Sequence, residues 1–162
     1  MPYSQKYCLV WFINPVKIGD EFEMTDWPIH VTVADVFAID RRGNDIDTKL
    51  AELLAKQPPV TTHATEEATL GTTPVVLAER NDNLLALHTR IVDLLASNHA
   101  EFNTPKFTRE GFLPHCTTQK VGRLNSGDEL KIDTVTLVDM FPNDDWQQRK
   151  VLRTFKLQGK QF

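Results

Sequence analysis

The order of apolar and polar residues predicts strands over much of this chain. The run 7–13 is apolar throughout, which is typical of a buried strand, and residues 29–39 form a second apolar run. The Thr-rich residues 60–70 and the apolar residues 75–79 flank a turn and predict a hairpin. Three further strands are predicted in the last third of the chain, over 114–121, 130–140 and 148–157.

Two segments have the periodicity of amphipathic helices. In residues 46–57 the apolar positions recur three to four residues apart, Asp45 or Asp47 can cap the start, and two prolines follow the end. In residues 82–98 the same period places leucines and isoleucine on one face, and Asp82 is the expected N-cap. One α-helix is therefore predicted in each half of the chain.

The order of these elements predicts an α+β fold. A ββαβ unit is followed by a βαβββ unit, and residues 14–26 and 99–111 are predicted to be connecting loops. We expect two pseudo-symmetric lobes, each a small antiparallel sheet with an outer helix, whose inner faces form a central cleft. Because 162 residues is the length of one domain, residues 1–162 are predicted to form a single bilobal unit.

A short motif occurs twice in the sequence, about half a chain apart. The first copy, at 27–33, reads WPIHVTV, and the second, at 112–118, reads FLPHCTT. Each copy has a His-x-Thr tripeptide inside a predicted strand, with a proline one or two positions before the histidine. The matched surroundings favour a shared role for the two tripeptides.

The spacing within each motif places two polar side chains on one face of a strand. His30 lies beside Thr32, and His115 lies beside Thr117, because alternate strand residues point the same way. If the two faces meet, one imidazole can accept a proton, the other can donate one, and the hydroxyls can bind phosphoryl oxygens. These four residues are therefore the predicted catalytic set for a phosphodiester substrate.

The remaining histidines have structural explanations. The tripeptide His63-Ala64-Thr65 also fits the motif, but it leads into two glutamates, which is typical of a solvated strand. His88 shares a helix face with leucines and is expected to pack there. His99 follows the same helix and is expected to interact only with its C-terminal end.

Charge narrows the range of partners. The 18 Lys and Arg against 22 Asp and Glu give a net charge of −4, which argues against a protein that grips long duplex nucleic acid. A small phosphorylated ligand or the terminus of a strand needs only a few local cations. The run 7–13 is too short to span a membrane and no export signal is seen, so we expect a cytoplasmic protein without membrane partners, and a monomer.

Both cysteines are expected to be reduced and buried. Disulfides rarely persist in the cytosol, and a chain with its own core does not need one. Cys116 stands between His115 and Thr117, so strand alternation turns its side chain away from the predicted cavity. It is therefore a poor candidate for a nucleophile.

Residues beside the motifs could hold the rest of a substrate. Aromatic side chains could stack on a nucleobase, and cations at strand ends could contact phosphate. The aromatic candidates are Trp27, Phe37, Phe107 and Phe112. The cationic candidates are Arg41, Arg42, Lys106, Arg109, Lys120 and Arg123, for which a solvated surface position is the alternative. The substrate-binding residues selected from these are Trp27, Arg109, Phe112 and Lys120, together with Gln119, which shares the predicted strand face of His115.

The two motifs resemble the paired signatures of the 2H phosphoesterase superfamily, which includes the 2′-5′ RNA ligase-like proteins and the cyclic phosphodiesterases. The matching residues are 29–33 and 114–118, and Lys120 stands where members often carry a basic residue. Two features depart from the family: the segment before His30 has no predicted helix, and Thr118 replaces a large aliphatic residue. The resemblance implies hydrolysis of a 2′,3′-cyclic phosphate or a 2′-linked phosphodiester of a nucleotide or RNA end, without metal or cofactor.

The proposed chemistry has two rivals. In the main interpretation His115 is the base, His30 is the acid, and the threonine hydroxyls bind the equatorial oxygens. A zinc hydrolase using His30, His63 and His115 is less favoured, because zinc ligands are usually closely spaced and threonine has no ligand role. A ligase-like or nucleotide-binding protein with little hydrolytic activity would keep the same cleft. The sequence does not choose among RNA cyclic phosphate, a 2′-5′ linkage and ADP-ribose cyclic phosphate.

Overall fold

The computed structural model describes residues 5–160, and this part of the chain contains ten strands and two α-helices. The helices are α1 (Ile46–Ala55) and α2 (Asp82–Ser97). The strands, in chain order, are β1 (Lys6–Phe12), β2 (Glu21–Glu23), β3 (His30–Ala38), β4 (Val60–Leu70), β5 (Thr73–Ala78), β6 (Glu101–Phe102), β7 (His115–Thr117), β8 (Glu129–Ile132), β9 (Thr134–Asp139) and β10 (Gln148–Lys156).

The strands join into one antiparallel sheet with the order β2-β10-β9-β1-β3-β7-β5-β4-β8, and β6 adds to β3. The two strands that carry the His-x-Thr motifs, β3 and β7, are neighbours in this order. The α+β class predicted from the sequence is confirmed. The division into two pseudo-symmetric lobes, and the single unit over 1–162, stay predictions; residues 1–4 and 161–162 lie outside the described part.

Both helices pack against the same face of the sheet. The apolar stripes of α1 and α2, including Leu50 and Leu87, share one core cluster with the inward-facing strand residues Val31 and Cys116. Each of these side chains is at most 1% exposed, and full burial of such a side chain is worth roughly 1.5–3 kcal/mol. The helices therefore cover one face of the central strands, and the His-x-Thr side chains lie on the face without helices.

Several element boundaries differ from the prediction because of tertiary pairing. The predicted strand 130–140 is broken at Asp133, since β8 pairs with β4 while β9 pairs with β1 and β10. The predicted strand 114–121 shortens to the three residues of β7. The loops 14–26 and 99–111 contain the short strands β2 and β6, which form only by pairing with β10 and β3.

The helix caps also correct the prediction. Asn81, not Asp82, is the N-cap of α2, and its side chain accepts a hydrogen bond from the Leu84 amide at 2.9 Å. Asp45 precedes α1 in a left-handed conformation and makes no side-chain cap, while Asp47 pairs with Arg41. Neither helix in the described residues has the length and hydropathy needed to cross a bilayer.

Candidate active site

The two His-x-Thr motifs lie side by side in the centre of the sheet. Val31 of β3 pairs with Cys116 of the antiparallel β7. The neighbouring positions are therefore also opposed, so that His30 faces Thr117 and Thr32 faces His115. Directly opposed Cβ atoms lie roughly 4.5–5.5 Å apart, and diagonal neighbours such as the two histidines lie roughly 7–8 Å apart. The four side chains form a two-by-two array on the face without helices.

The same local contact orients both imidazoles. Nδ1 of His30 lies 2.8 Å from the carbonyl oxygen of Pro28, and Nδ1 of His115 lies 2.7 Å from that of Leu113. A carbonyl oxygen only accepts, so each Nδ1 carries the proton and donates it. This leaves Nε2 of each ring as the nitrogen that can exchange a proton with a ligand.

His30 lies deep beside aromatic rings. Its side chain is 6% exposed, and its ring packs on Trp27 with centroids 3.9 Å apart and edge-on against Phe12. Burial is the main cause that lowers the pKa of His30 to about 4; the neighbouring His115 and Arg149 also lower this pKa, while the hydrogen bond to Pro28 raises it. The free protein therefore holds His30 neutral at pH 7.

Arg149 on β10 is a second buried group beside His30. Its guanidinium lies 5.6 Å from the Trp27 ring centroid, on a ring that also packs against His30. Nη1 donates to the carbonyls of Met140, Trp146 and Gln148, while Nε is buried without a hydrogen-bond partner. Burial lowers the pKa of this arginine, which still keeps its charge at neutral pH. Arg149 thus adds a positive charge behind the histidine face.

A pocket of about 380 Å³ opens beside Thr32 and His115. Its walls come from β3, from the turn between β4 and β5, and from the segment that leads into β7. The lining residues are Thr32, Asp35, Leu70, Gly71, Phe107, Phe112, Leu113 and His115. Apart from the catalytic candidates the lining is apolar, except for one carboxylate. No lysine or arginine is among these lining residues.

His88 of α2 holds one wall of this pocket. Its Nδ1 donates to the Val33 carbonyl at 2.6 Å, and its Nε2 accepts from the Arg109 amide at 2.9 Å. The imidazole also stacks face to face on Phe112, with ring centroids 3.9 Å apart. The packing role predicted for His88 is confirmed. Its neutral ring also connects α2 to β3 and to the segment that contains Arg109 and Phe112.

The predicted substrate-binding residues do not lie together in the structure. Phe112 lines the pocket, whereas Trp27 packs under His30 and is not among the lining residues. Arg109 pairs with Asp93 at 2.8 Å and does not line the pocket. Gln119 lies beyond the end of β7, where its backbone pairs with Gly122 in a tight turn, and Lys120 is exposed at the tip of that turn. The expected strand face for Gln119 is therefore wrong, because β7 ends at Thr117.

The other aromatic and cationic candidates are also dispersed. Phe107 lines the pocket, while Phe37 is fully buried in the core. Arg41 pairs with Asp47, Arg123 pairs with Glu67, and Lys106 lies over the ring of Phe107 at 5.2 Å. Lys106 thus lies next to a residue that lines the pocket.

His63 does not join the other two motif histidines. It lies on β4, separated from β7 by β5, with a half-exposed side chain that contacts Glu79 at 3.2 Å. Within residues 5–160 no three His, Cys, Asp or Glu side chains come together as a ligand set. The zinc site considered from the sequence would need His63 beside His30 and His115, and the sheet order keeps it away from them.

Sequence reasoning missed two charged residues near the site. Asp35 enters the pocket only because β3 is bulged, so that it shares a face with Thr32 three positions earlier. Arg149 comes from the last strand of the sheet. For Asp35 the sequence offers a local indication, because a charged residue stands inside an otherwise apolar strand. For Arg149 nothing in the neighbouring sequence indicates that it lies near the site.

Solved structures share this architecture over almost its whole length. A structure described as a phosphoesterase matches with a TM-score of 0.59 and 16% identity, covering 94% of this chain and 98% of that one. The protein TT0787 of Thermus thermophilus matches with a TM-score of 0.62 and 14% identity, covering 96% and 100%. E. coli LigT complexed with 3′-AMP matches with a TM-score of 0.59 and 16% identity, covering 94% and 98%. The chain therefore has the fold of these proteins.

The sequence itself identifies the family. The model of the 2′-5′ RNA ligase superfamily matches residues 15–152, which include both His-x-Thr motifs, so the chain belongs to that superfamily. The resemblance to the 2H phosphoesterases drawn from the motifs is confirmed. A search of curated proteins finds no match.

Proposed function

We propose that the protein is a metal-independent phosphodiesterase that opens 2′,3′-cyclic phosphates or cleaves 2′-linked phosphodiesters of nucleotides or RNA ends. The observation that carries the proposal is the register of Val31 with Cys116, which groups two imidazoles and two hydroxyls on one face of the sheet. Membership of a superfamily of phosphoesterases and ligases supports an enzymatic role. The two Nε2 atoms can supply an acid and a base to one bound phosphate.

The environments of the two histidines suggest a direction for proton transfer. His30 is neutral at pH 7, because burial lowers its pKa to about 4, so it can accept the proton of the attacking water. His115 borders the open pocket, where it can donate a proton to the leaving oxygen. This assignment reverses the one favoured from the sequence, because burial of His30 cannot be read from its neighbours in the chain.

The threonines have the chemistry to hold the phosphate. Each hydroxyl of Thr32 and Thr117 lies on the same face as both imidazoles and can donate to an equatorial oxygen, where negative charge grows in the transition state. Arg149 adds a positive charge behind His30 without touching the pocket lining. A few local donors and one nearby charge suit a single phosphate better than a long polyanion.

The pocket is the proposed place for the nucleoside. Its apolar walls, including Phe107 and Phe112, can bury a base next to a phosphate held at His115. That LigT was crystallised with 3′-AMP supports a nucleotide ligand. A cytoplasmic location and a monomeric state remain predictions from the sequence.

The decisive experiment is a hydrolysis panel with the purified protein, run with and without EDTA. The substrates are nucleoside 2′,3′-cyclic monophosphates, RNA ending in a 2′,3′-cyclic phosphate, a 2′-5′ linked dinucleotide and ADP-ribose cyclic phosphate. We expect at least one of them to be hydrolysed, with no effect of the chelator. Nucleotide binding without turnover of any substrate, or ligation of RNA ends in its place, would favour the alternative of a binding or ligase-like protein.

A further inference from the structure

Asp35 lies on the pocket face because β3 is irregular. Val10 of β1 pairs with Thr32, but its neighbour Leu9 pairs with Ala34, so β3 contains one residue more than β1 at this point. Because of this bulge, the consecutive residues Val33 and Ala34 are both buried, and Asp35 lies on the same face as Thr32. In a regular strand Thr32 and Asp35 would point to opposite faces.

The carboxylate of Asp35 is free to meet a ligand. Its Oδ1 accepts the Val36 amide at 2.8 Å, and none of the ion pairs in the described residues involves it. Among the residues that line the pocket, Asp35 is the only Asp, Glu, Lys or Arg. Because a carboxylate accepts hydrogen bonds and repels phosphate, the part of a nucleotide that suits this position is a hydrogen-bond donor.

The distance from the phosphate site selects the part of the ligand that reaches Asp35. Three residues of a bulged strand separate Thr32 from Asp35 by roughly 7–10 Å. With a phosphate held by Thr32 and His115, that span reaches past the ribose to the edge of a base. The apolar side chains of Phe107 and Phe112 form the walls on which such a base would pack.

Among the four bases, guanine best matches a carboxylate. Its N1–H and its N2 amino group are parallel donors that the two oxygens accept together. Adenine and cytosine place a ring nitrogen acceptor beside their amino group, and uracil places a carbonyl on each side of its N3–H. Resting on the proposed function for the position of the phosphate, we propose that Asp35 makes the pocket selective for guanine nucleotides.

Equilibrium binding tests this selectivity without relying on turnover. Isothermal titration with guanosine, adenosine, cytidine, uridine and inosine 3′-monophosphates should give the tightest binding for guanosine, by roughly 10- to 100-fold over the other three standard nucleosides. Inosine lacks the N2 amino group and should bind with intermediate affinity. The near-isosteric Asp35→Asn should reduce the guanosine preference to a few-fold or less while the protein stays folded by circular dichroism.

The matched control is Asp82→Asn, which changes an exposed aspartate of α2 in the same way and should keep the wild-type ranking. Equal affinity for all nucleotides, or an unchanged ranking in Asp35→Asn, would overturn the inference. Hydrolysis of all four 2′,3′-cyclic phosphates with equal kcat/KM would overturn it too, while leaving the phosphodiesterase proposal intact. Conversely, guanosine-selective binding that depends on Asp35, without any hydrolysis, would support the base assignment and count against the catalytic proposal.

Discussion

Val31 of β3 lies directly opposite Cys116 of β7, and both side chains point into the helix-covered core. Because strand side chains alternate, the residues on either side of this pair point to the opposite face, which has no helices. A shift by one residue would bury one pair of catalytic candidates and expose apolar groups in its place. The core packing of these two residues therefore also aligns the proposed site.

The catalytic proposal predicts a steep loss of activity for the histidine variants. His30→Ala and His115→Ala should each lower kcat by roughly 10²- to 10⁴-fold, since each removes one proton-transfer group. Thr32→Val and Thr117→Val should cost less, because each removes one hydrogen-bond donor and leaves both imidazoles in place. Steady-state kinetics on the best substrate of the panel measures these losses.

The control for these variants is His63→Ala, which alters the third His-x-Thr tripeptide on β4 and should retain wild-type activity. Full activity in the double variant of His30 and His115 would rule out the mechanism.

The pH dependence of stability should report the buried imidazole. The pKa of His30 is about 4 in the folded chain against 6.5 for an unperturbed histidine, so between these values the unfolded chain binds the proton more strongly. The free energy of unfolding should be highest above pH 6.5 and should fall by roughly 3 kcal/mol as the pH drops to 4. Urea unfolding at several pH values measures this change.

His30→Asn should flatten this dependence, since it removes the titrating group while keeping a donor for the Pro28 carbonyl. Some slope remains from His88, whose pKa is lowered chiefly by burial. His63→Asn, which changes a half-exposed histidine in the same way, is the matched control. Equal slopes in the wild type and in His30→Asn would show that His30 titrates normally.

Arg149 should tune His30 through its charge. Arg149→Met removes a positive charge beside the imidazole, so the pKa of His30 should rise and the acidic limb of kcat/KM should move toward neutral pH. Arg149→Lys keeps the charge and should leave that limb in place. Both variants should lose roughly 1–3 kcal/mol of stability, because three carbonyls lose their guanidinium donor. Identical acidic limbs in the two variants would contradict the electrostatic role.

His88 should act on substrate binding and not on proton transfer. His88→Asn removes the stack on Phe112 and the acceptor for the Arg109 amide, so the pocket wall should loosen. We expect KM to rise several-fold with a smaller change in kcat, together with faster hydrogen exchange at the Arg109 amide. The control is His99→Asn, at an exposed left-handed position that asparagine tolerates. A change confined to kcat would contradict this role.

The two thiols should be unreactive in the folded protein. Burial raises the pKa of Cys8 to about 12 and that of Cys116 to about 11, so almost no thiolate is present at pH 8. The two cysteines also belong to separate apolar clusters on opposite faces of the sheet. A colorimetric thiol reagent should label neither cysteine in the native protein and both after unfolding in guanidinium. Fast native labelling, or fewer than two thiols after unfolding, would contradict this prediction.

Much of the fold could be predicted because its signals are local. The period of the apolar residues located α1 and α2 to within two residues at each end, and the Thr-rich composition of residues 60–70 predicted β4. The errors fall where pairing overrides local pattern: β7 ends early, and residues 130–140 divide between two parts of the sheet. The short strands β2 and β6 exist only because longer strands offer them an edge, which no local window contains.

The sequence by itself determined which residues bear the chemistry and which of them share a strand face, because both properties depend only on residue type and on the two-residue repeat of a strand. The tertiary structure alone decided that β3 and β7 are neighbours, that His30 is buried beside Arg149, and that a bulge brings Asp35 into the pocket. These features depend on long-range pairing and on the removal of water, and each involves groups far apart in the chain. The proposed site is therefore a product of strand register and burial acting on side chains that the sequence had already made recognisable.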